Sequence, residues 1–323
     1  MSNSRKLPGT VFFTQSIFLS RPSRGLLYNS CMKLSVIIPT HNRADILELC
    51  LNKITQQQGV DFEVIVVDDG SEDHTAKVVA GFKEVIYIKQ KASHQGTARN
   101  KGAKKATGDI LVFIGDDILA EPGFLMQHAN IHTLNPGEEV VVLGYTAWDP
   151  FLEITPYMEF LESSGWQFAY FLLQPGFTDH PEPYKFFYTS NISLKKSLFD
   201  KEKFSTKFTE YGWEDIELGY RLWAKHGMRL YYEPDAVVLH HHTISESTLE
   251  KRMQTVGRSA VTFEKLQPDV QVIPRGAKAI LLKFLAQPII LAFIRFFGGV
   301  NSYYKFKSWQ QFLEGVKEAT GKK

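Results

Sequence analysis

Gly108-Asp-Ile-Leu-Val-Phe-Ile-Gly-Asp-Asp117 is the stretch on which the fold turns. Residues 110–114 form an apolar run without alternation, the pattern of a strand buried on both faces, as in a parallel sheet. In open α/β sheets ligands sit beyond the carboxyl ends of the strands. Asp116 and Asp117 stand at that end. Adjacent carboxylates on a rigid strand end are hard oxygen ligands, suited to Mg²⁺ or Mn²⁺ and to the phosphates these ions carry. A solvated turn is the alternative, because Asp is common after strands.

The residues before this stretch repeat its pattern. A first buried strand at 34–38 ends at Pro39, and Thr40-His41-Asn42-Arg43 makes a polar loop. Leu47, Leu51 and Ile54 have helical spacing within 44–57. A second strand at 62–67 closes in Asp68-Asp69-Gly70-Ser71. A helix over 73–82, a third strand at 85–88 and a helix opened by Gly96 follow. Strands alternating with helices predict βαβ units in a doubly wound, mostly parallel α/β sheet, with three polar strand ends converging on one edge.

Beyond Asp117, Pro122 suits the first turn of a helix to about Thr133. A strand is expected at 140–145. Residues 150–188 are aromatic-rich and read as an irregular insertion, either shaping a cleft or forming a satellite cluster under a loop. Tyr211-Gly-Trp-Glu-Asp215 leads into a helix over 214–226. Two short strands, 230–232 and 236–239, precede His240-His241-His242. Ser245 or Ser247 could cap a helix to about Leu266.

Composition narrows the function classes. The chain has 323 residues, 44% hydrophobic and 22% charged, as in globular proteins, and its net charge of +2 gives no field for nucleic acid. Its two cysteines, Cys31 and Cys50, lack metal-ligand spacing and suit a reducing, cytoplasmic setting, with Cys50 as core filler. No run of 18 uncharged apolar residues occurs. Residues 1–31 read as a disordered extension, or as an upstream misassigned start, since Met32 opens directly into a strand. Residues 276–323 combine apolar runs with Lys283, Arg295, Lys305, Lys307 and Lys317. That mixture suits a helical tail lying in a membrane interface; a helical hairpin packed on the core is the alternative.

Several familiar sites are missing. No G-x-G-x-x-G follows the first strand, and there is neither a P-loop nor a Gly-x-Ser-x-Gly elbow. What remains is a set of acidic strand ends, then an acidic helix start and a histidine cluster. Taken together, Val36-Ile-Ile-Pro-Thr-His-Asn-Arg43, Val66-Val-Asp-Asp-Gly-Ser71, Gly96 to Gly102, Asp116-Asp117, Gly212-Trp-Glu-Asp-Ile-Glu-Leu-Gly-Tyr-Arg221 and Val238-Leu-His240 resemble glycosyltransferase family 2. The resemblance covers about residues 33–268. It implies a GT-A fold over 32–268, with a nucleotide-sugar-binding half and an acceptor half. It further implies transfer of a sugar from a nucleotide diphosphate sugar to an acceptor hydroxyl with inversion, UDP being the default nucleotide.

The resemblance also assigns residues. Pro39 and Thr40 would line the base pocket, with Asn42 and Arg43 beside it. Asp68 and Asp69 can accept hydrogen bonds from a base or ribose; the family implies that Asp69 reads the base and Asp116 the ribose. Arg99, at a helix start, would face the diphosphate or pair with Asp69 or Asp116. The family's Asp-x-Asp metal motif is Gly115-Asp116-Asp117 here, so the first acid is absent and Asp117 keeps the metal position. His240 is the expected second ligand, His242 the alternative, and an imidazole tilts the choice towards Mn²⁺ over Mg²⁺. Asp215 would be the general base, with Glu214 in support or on acceptor hydroxyls. Trp213 would stack on a sugar face and Asn191 would lie in the acceptor loop. Arg252 would reach the diphosphate or lie on a solvated helix face. The processive Gln-x-x-Arg-Trp pattern is missing, so one sugar per encounter is expected.

Two other functions compete. Gly115 admits a non-catalytic nucleotide-sugar or glycan-binding subunit. A nucleotidyltransferase would share a similar sheet but would leave Trp213-Glu214-Asp215 unexplained. The acceptor is expected to be a glycan or lipid-linked glycan of the cell envelope, met at the inner face of the cytoplasmic membrane.

Overall fold

The computed structural model describes residues 32–321. The extension or alternative start expected at 1–31, and Cys31, lie outside these residues. In chain order the first half runs β1 (Leu34–Thr40), α1 (Ala44–Ile54), β2 (Phe62–Asp68), α2 (Thr75–Ala80), β3 (Val85–Lys89), α3 (Gln95–Lys105), β4 (Ile110–Phe113), β5 (Ile118–Ala120) and α4 (Phe124–Leu134). The second half runs β6 (Val140–Trp148), α5 (Pro156–Ser164), β7 (Gly176–Phe177), β8 (Ile192–Lys195), α6 (Lys196–Lys201), α7 (Glu214–His226), β9 (Arg229–His240) and α8 (Glu246–Leu266). Three C-terminal helices follow: α9 (Gly276–Leu285), α10 (Pro288–Phe297) and α11 (Val300–Thr320).

The strands form one sheet in the order β3-β2-β1-β4-β8-β6-β9-β5, with β7 paired to β9. β1, β2, β3 and β4 are mutually parallel, β8 runs antiparallel between β4 and β6, and β6 and β9 are parallel again. Every residue of β1 and β4 is buried, because helices cover both faces. One face packs Ile37, Val67 and Phe113 against α3 and α7; the other packs Val36, Val66 and Val112 against α1 and α4. The continuous Val/Ile/Leu runs follow from this two-sided burial. The carboxyl ends of β1, β2, β4, β6 and β9 and the start of β8 therefore share one edge, which places Thr40, Asp68, Asp116, Asp117, Trp148 and His240 together.

The two strands expected at 230–232 and 236–239 are one strand, β9, kinked by a bulge. Its pairing with β6 skips from Gly144–Glu233 to Tyr145–Val237. Asn191 pins this bulge. Its amide donates to the Tyr145 carbonyl at 3.0 Å and the Ala236 carbonyl at 2.8 Å, and its Oδ1 accepts from His128 Nε2 at 2.9 Å. Gly144 leaves the room: a Cβ there would lie 2.4 Å from both the Ala236 oxygen and Asn191 Oδ1. Ser193 links His128 to His132, and burial pushes His128 down to about 4 and His132 well below its usual range, so both are neutral. Asn191 is fully buried and belongs to the core, not to an acceptor loop. Asn191→Ala should lower stability by about 3 kcal/mol, since several buried polar groups lose partners. Urea unfolding would measure this; wild-type stability in that variant would refute the pinning role.

Other departures are local. Residues 150–188 contain α5, capped by Thr155, whose hydroxyl accepts from the Met158 amide at 3.2 Å. The insertion is both cluster and cleft wall. Ser245 stands at the α8 N-cap position, but its hydroxyl bonds to Ser247 at 2.7 Å instead of capping the helix. Cys50 is buried core, as expected. The tail divides. α11 docks on α8 and α5 through Tyr304 and Phe312, whereas α9 and α10 reach the rest of the fold mainly through α11. The α8–α11 contact is backbone-close: a Cβ on Gly257 would sit 2.1 Å from the Phe312 oxygen, and one on Gly315 2.0 Å from the Gln254 oxygen.

Candidate active site

A cleft of about 930 Å³ opens at the carboxyl edge of the sheet. Pro39, Arg43, Arg99, Asp116, Asp117, Trp213, Glu214, Asp215 and His240 all line it, drawn from positions up to 200 residues apart. His242, Lys251 and Arg252 complete its rim. Of the residues expected here, Thr40, Asn42, Asp68, Asp69 and Asn191 do not line it.

At one side the β4 carboxylates meet a cation. Arg43 spans them as a fork, with Nη1 2.9 Å from Asp116 Oδ1 and Nη2 3.0 Å from Asp117 Oδ2. The other Asp116 oxygen accepts from the Thr40 hydroxyl at 2.8 Å. Burial, with Asp117 as neighbour, lifts Asp116 to about 6 against the pull of Arg43. Burial opposes ionisation of Asp117 as well, but His240 and Arg43 overcome it and hold that carboxyl far below its usual range. The pair is therefore asymmetric, with Asp117 the more readily ionised of the two.

His240 brings Nε2 to 3.2 Å from Asp117 Oδ2. β5 makes this meeting possible, because Ile118 pairs directly with His240 across the sheet. The ring is held by stacking on Trp148, at 5.2 Å between centroids and 13° between planes. His241 turns away to Asp149, 2.6 Å from Nδ1 to Oδ2. His242 stays near, 3.3 Å from Arg43 Nη2, and burial lowers its pKa. Among the described residues no group of three His, Cys, Asp or Glu side chains could hold a metal. Asp117 and His240 offer two donors, one hard carboxylate and one imidazole. That set fits an Mn²⁺ or Mg²⁺ ion that takes its remaining ligands from phosphate and water.

The opposite wall is the start of α7. Glu214 is buried and immobilised: its Oε1 accepts from Gln95 and from Arg99 Nη1 (3.3 Å), its Oε2 from the Gly212 amide at 2.8 Å. Arg99 thus pairs with Glu214, not with Asp69 or Asp116. Glu214 is fixed by three donors, two on Oε1 and one on Oε2. Asp215 faces the cleft beside it. One oxygen accepts the Ile216 amide at 2.8 Å; the other has only long contacts to Thr189, 3.4 and 3.5 Å. Burial and the Glu214 charge raise Asp215 to about 7. A carboxylate so poised can take a proton at neutral pH. Trp213 lines the cleft, though its indole donates to the Val256 carbonyl at 3.2 Å and its ring packs on Phe263.

The β2 acids serve the loops. Asp68 is fully buried, with Oδ1 on the Ser71 amide at 2.7 Å and Oδ2 on the Tyr87 hydroxyl at 2.5 Å, and does not line the cleft. Asp69 fixes the segment after β3, accepting from Gln90 and the Ser93 amide at 2.7 and 2.8 Å through a single oxygen. Asn42, at φ 52°, ties the first loop to the second through Ser71 and Glu72. Sequence reasoning missed Trp148 and Gln95. Trp148 had one signal, its place at the end of the strand beside His240. Gln95 had none, since its partner lies 119 residues away.

Residues 35–192 match the family described as glycosyl transferase family 2. Validoxylamine A glucosyltransferase of Streptomyces hygroscopicus subsp. jinggangensis is 32% identical over 272 residues, 73% of this chain and 62% of that protein. The chain belongs to glycosyltransferase family 2. Chondroitin synthase of Escherichia coli is 29% identical over 222 residues, 59% of this chain and 32% of that one. The family 2 chain thus spans about three fifths of the first relative and a third of the second. Among solved structures it is similar to the mannosyltransferase PcManGT from Pyrobaculum calidifontis, in complex with GDP-Man and Mn²⁺, at TM-score 0.56 and 19% identity, covering 90% of this chain and 86% of that one. It is also similar to S. aureus TarS 1–349 in complex with UDP, at TM-score 0.52 and 16% identity, covering 90% and 92%. These likenesses establish the fold as GT-A, a mostly parallel sheet with C-terminal helices.

Proposed function

We propose that the protein is an inverting, non-processive glycosyltransferase. It moves a sugar from a nucleotide diphosphate sugar, UDP-linked by default, to a hydroxyl of a glycan or lipid-linked glycan. One observation carries this: a single cleft holds Asp117 beside His240 on one wall and, on the other, Asp215, whose carboxyl is raised by burial and by Glu214. The relatives named as a glucosyltransferase and a chondroitin synthase, and the similar folds solved with GDP-Man, Mn²⁺ and UDP, support it.

The residues divide the work. Pro39 and Asp116 would border the nucleoside, with Thr40 behind them holding Asp116. Arg43, Arg252 and Lys251 place positive charge where a diphosphate would lie. Asp117 and His240 would hold Mn²⁺ or Mg²⁺, which supplies charge neutralisation for the departing diphosphate. Asp215 accepts the proton of the acceptor hydroxyl as its oxygen attacks the anomeric carbon from the face opposite the leaving group. A carbon–oxygen bond to the acceptor forms while the bond to the diphosphate breaks. Glu214, fixed by Arg99 and Gln95, holds the α7 start so that Asp215 keeps its aim. The acceptor half would meet its substrate at the inner, cytoplasmic face of the membrane, with residues 276–323 nearby.

A panel of nucleotide sugars screened by thermal shift tests this. One donor should raise Tm with Mn²⁺ and not with EDTA, and nucleoside diphosphate should then appear on adding acceptor. Metal-independent stabilisation without any turnover would favour a non-catalytic binding subunit.

A further inference from the structure

α9 and α10 expose a large apolar surface. Ile280, Phe284, Ile289, Phe293, Phe296 and Phe297 are all more than half exposed, Ile289 and Phe296 by 85% and 84%. In each helix few side chains turn inward: only Leu282 in α9 and Leu291 in α10 are buried. Contiguous exposed aromatic and aliphatic residues on this scale mark an interaction surface.

Charge says what it faces. Between Asp269 and Glu314 the sequence has Arg275, Lys278, Lys283, Arg295, Lys305 and Lys307 and no acid. Arg275 and Arg295 are paired with Glu264 and Glu246, at 2.7 and 3.4 Å. Among the described residues, the four lysines have no carboxylate partner. A second copy of this face would bring like charges together, whereas an anionic bilayer complements both the apolar surface and the lysines.

Geometry separates lying on a bilayer from crossing it. No single helix among the described residues is long and apolar enough to span, and α9 and α10 meet with a bend of 70°. Each is ten residues, about 15 Å. Only taken together across this break does the pair have the length and composition of a span; bent so, its two arms and two linking residues reach about 28 Å, and crossing would put Lys283 and Arg295 inside the ~30 Å hydrocarbon core.

We infer that the bent α9–α10 pair, and not the whole tail, is a wedge that inserts into the interface of an anionic membrane while α11 stays packed on α8. This goes beyond the catalytic reading and does not depend on it.

Co-sedimentation of the full chain with vesicles, without donor or acceptor, tests it. The protein should pellet with phosphatidylcholine vesicles containing roughly a third phosphatidylglycerol, and less at high salt. The double substitution F293D/F297D should weaken binding by roughly tenfold or more, since lipid-facing charge is costly. K278Q/K283Q should weaken it by roughly tenfold or more on anionic vesicles only. The Tm of each variant should match wild type, because these side chains are exposed. Mn²⁺-dependent donor stabilisation, measured separately, reports on the catalytic site alone. No binding to anionic vesicles, or equal binding by F293D/F297D, overturns the inference. A dimer in sedimentation velocity that F293D/F297D converts to monomer, without vesicle binding, overturns it in favour of self-association.

Discussion

Asp215→Asn should lower kcat by roughly 10³-fold while leaving Mn²⁺-dependent donor stabilisation intact, because only the proton acceptor is lost. The amide can still accept from the Ile216 backbone, so the α7 start should keep its geometry. The pH dependence follows from the raised Asp215 carboxyl, near 7 in the fold against ~3.9 in an unfolded chain. Activity of the wild type should rise through an acid limb near pH 7 in kcat/KM, as the base ionises. Stability runs the other way. The fold favours the neutral form, so destabilisation begins above the unfolded value and is complete above pH 7. Asp215→Asn should therefore be inactive yet raise Tm at pH 8 relative to wild type, with little change at pH 4. A fully active variant, or one less stable at pH 8, would remove Asp215 from the role of base.

Asp117→Ala should abolish the metal-dependent part of donor binding, weakening it by roughly 10²-fold or more, because several kcal/mol of charge neutralisation are lost. Thermal shift with and without Mn²⁺ measures this directly. Arg43 keeps Asp116 as a partner, so the chain should still fold. Were the Mn²⁺-dependent shift to survive this change, Asp117 would not be a ligand. The Arg43 fork adds a refinement: a divalent cation entering alone competes with a guanidinium already shared by two carboxylates. Mn²⁺ without nucleotide should stabilise the protein far less than Mn²⁺ with the donor.

The sheet was legible because two-sided burial forces unbroken apolar runs, and 34–38, 62–67 and 110–114 show them. The separation of Asp116 from Asp117 was legible only in part. Their roles depend on Arg43 and His240, residues 73 and 123 positions away that the crossovers bring together. The burial of Asp68 was not legible, because adjacent residues at a strand end point to opposite faces and a motif does not say which one turns inward. Asn191 failed for a related reason: its partners exist only where Gly144 opens a bulge. The tail's division was hidden in plain hydropathy. α11 buries Tyr304, Ser308, Gln311, Phe312 and Gly315, a helical stripe rich in small and polar residues, while the more apolar α9 and α10 stay outside.

The glycine contact between α8 and α11 fixes a height. Gly257 and Gly315 bring backbone against backbone, so neither helix can slide along the other without collision. α8 also carries Lys251 and Arg252 on the cleft rim, and its Val256 carbonyl and Ser259 hydroxyl hold Trp213 at the base of α7. Were the α9–α10 wedge to rest on a bilayer as inferred above, this chain of contacts would act as a ruler setting Asp215 at one elevation above the lipid. The acceptors used would then be those whose hydroxyl stands at that elevation, a selection by length that no side chain in the cleft needs to make.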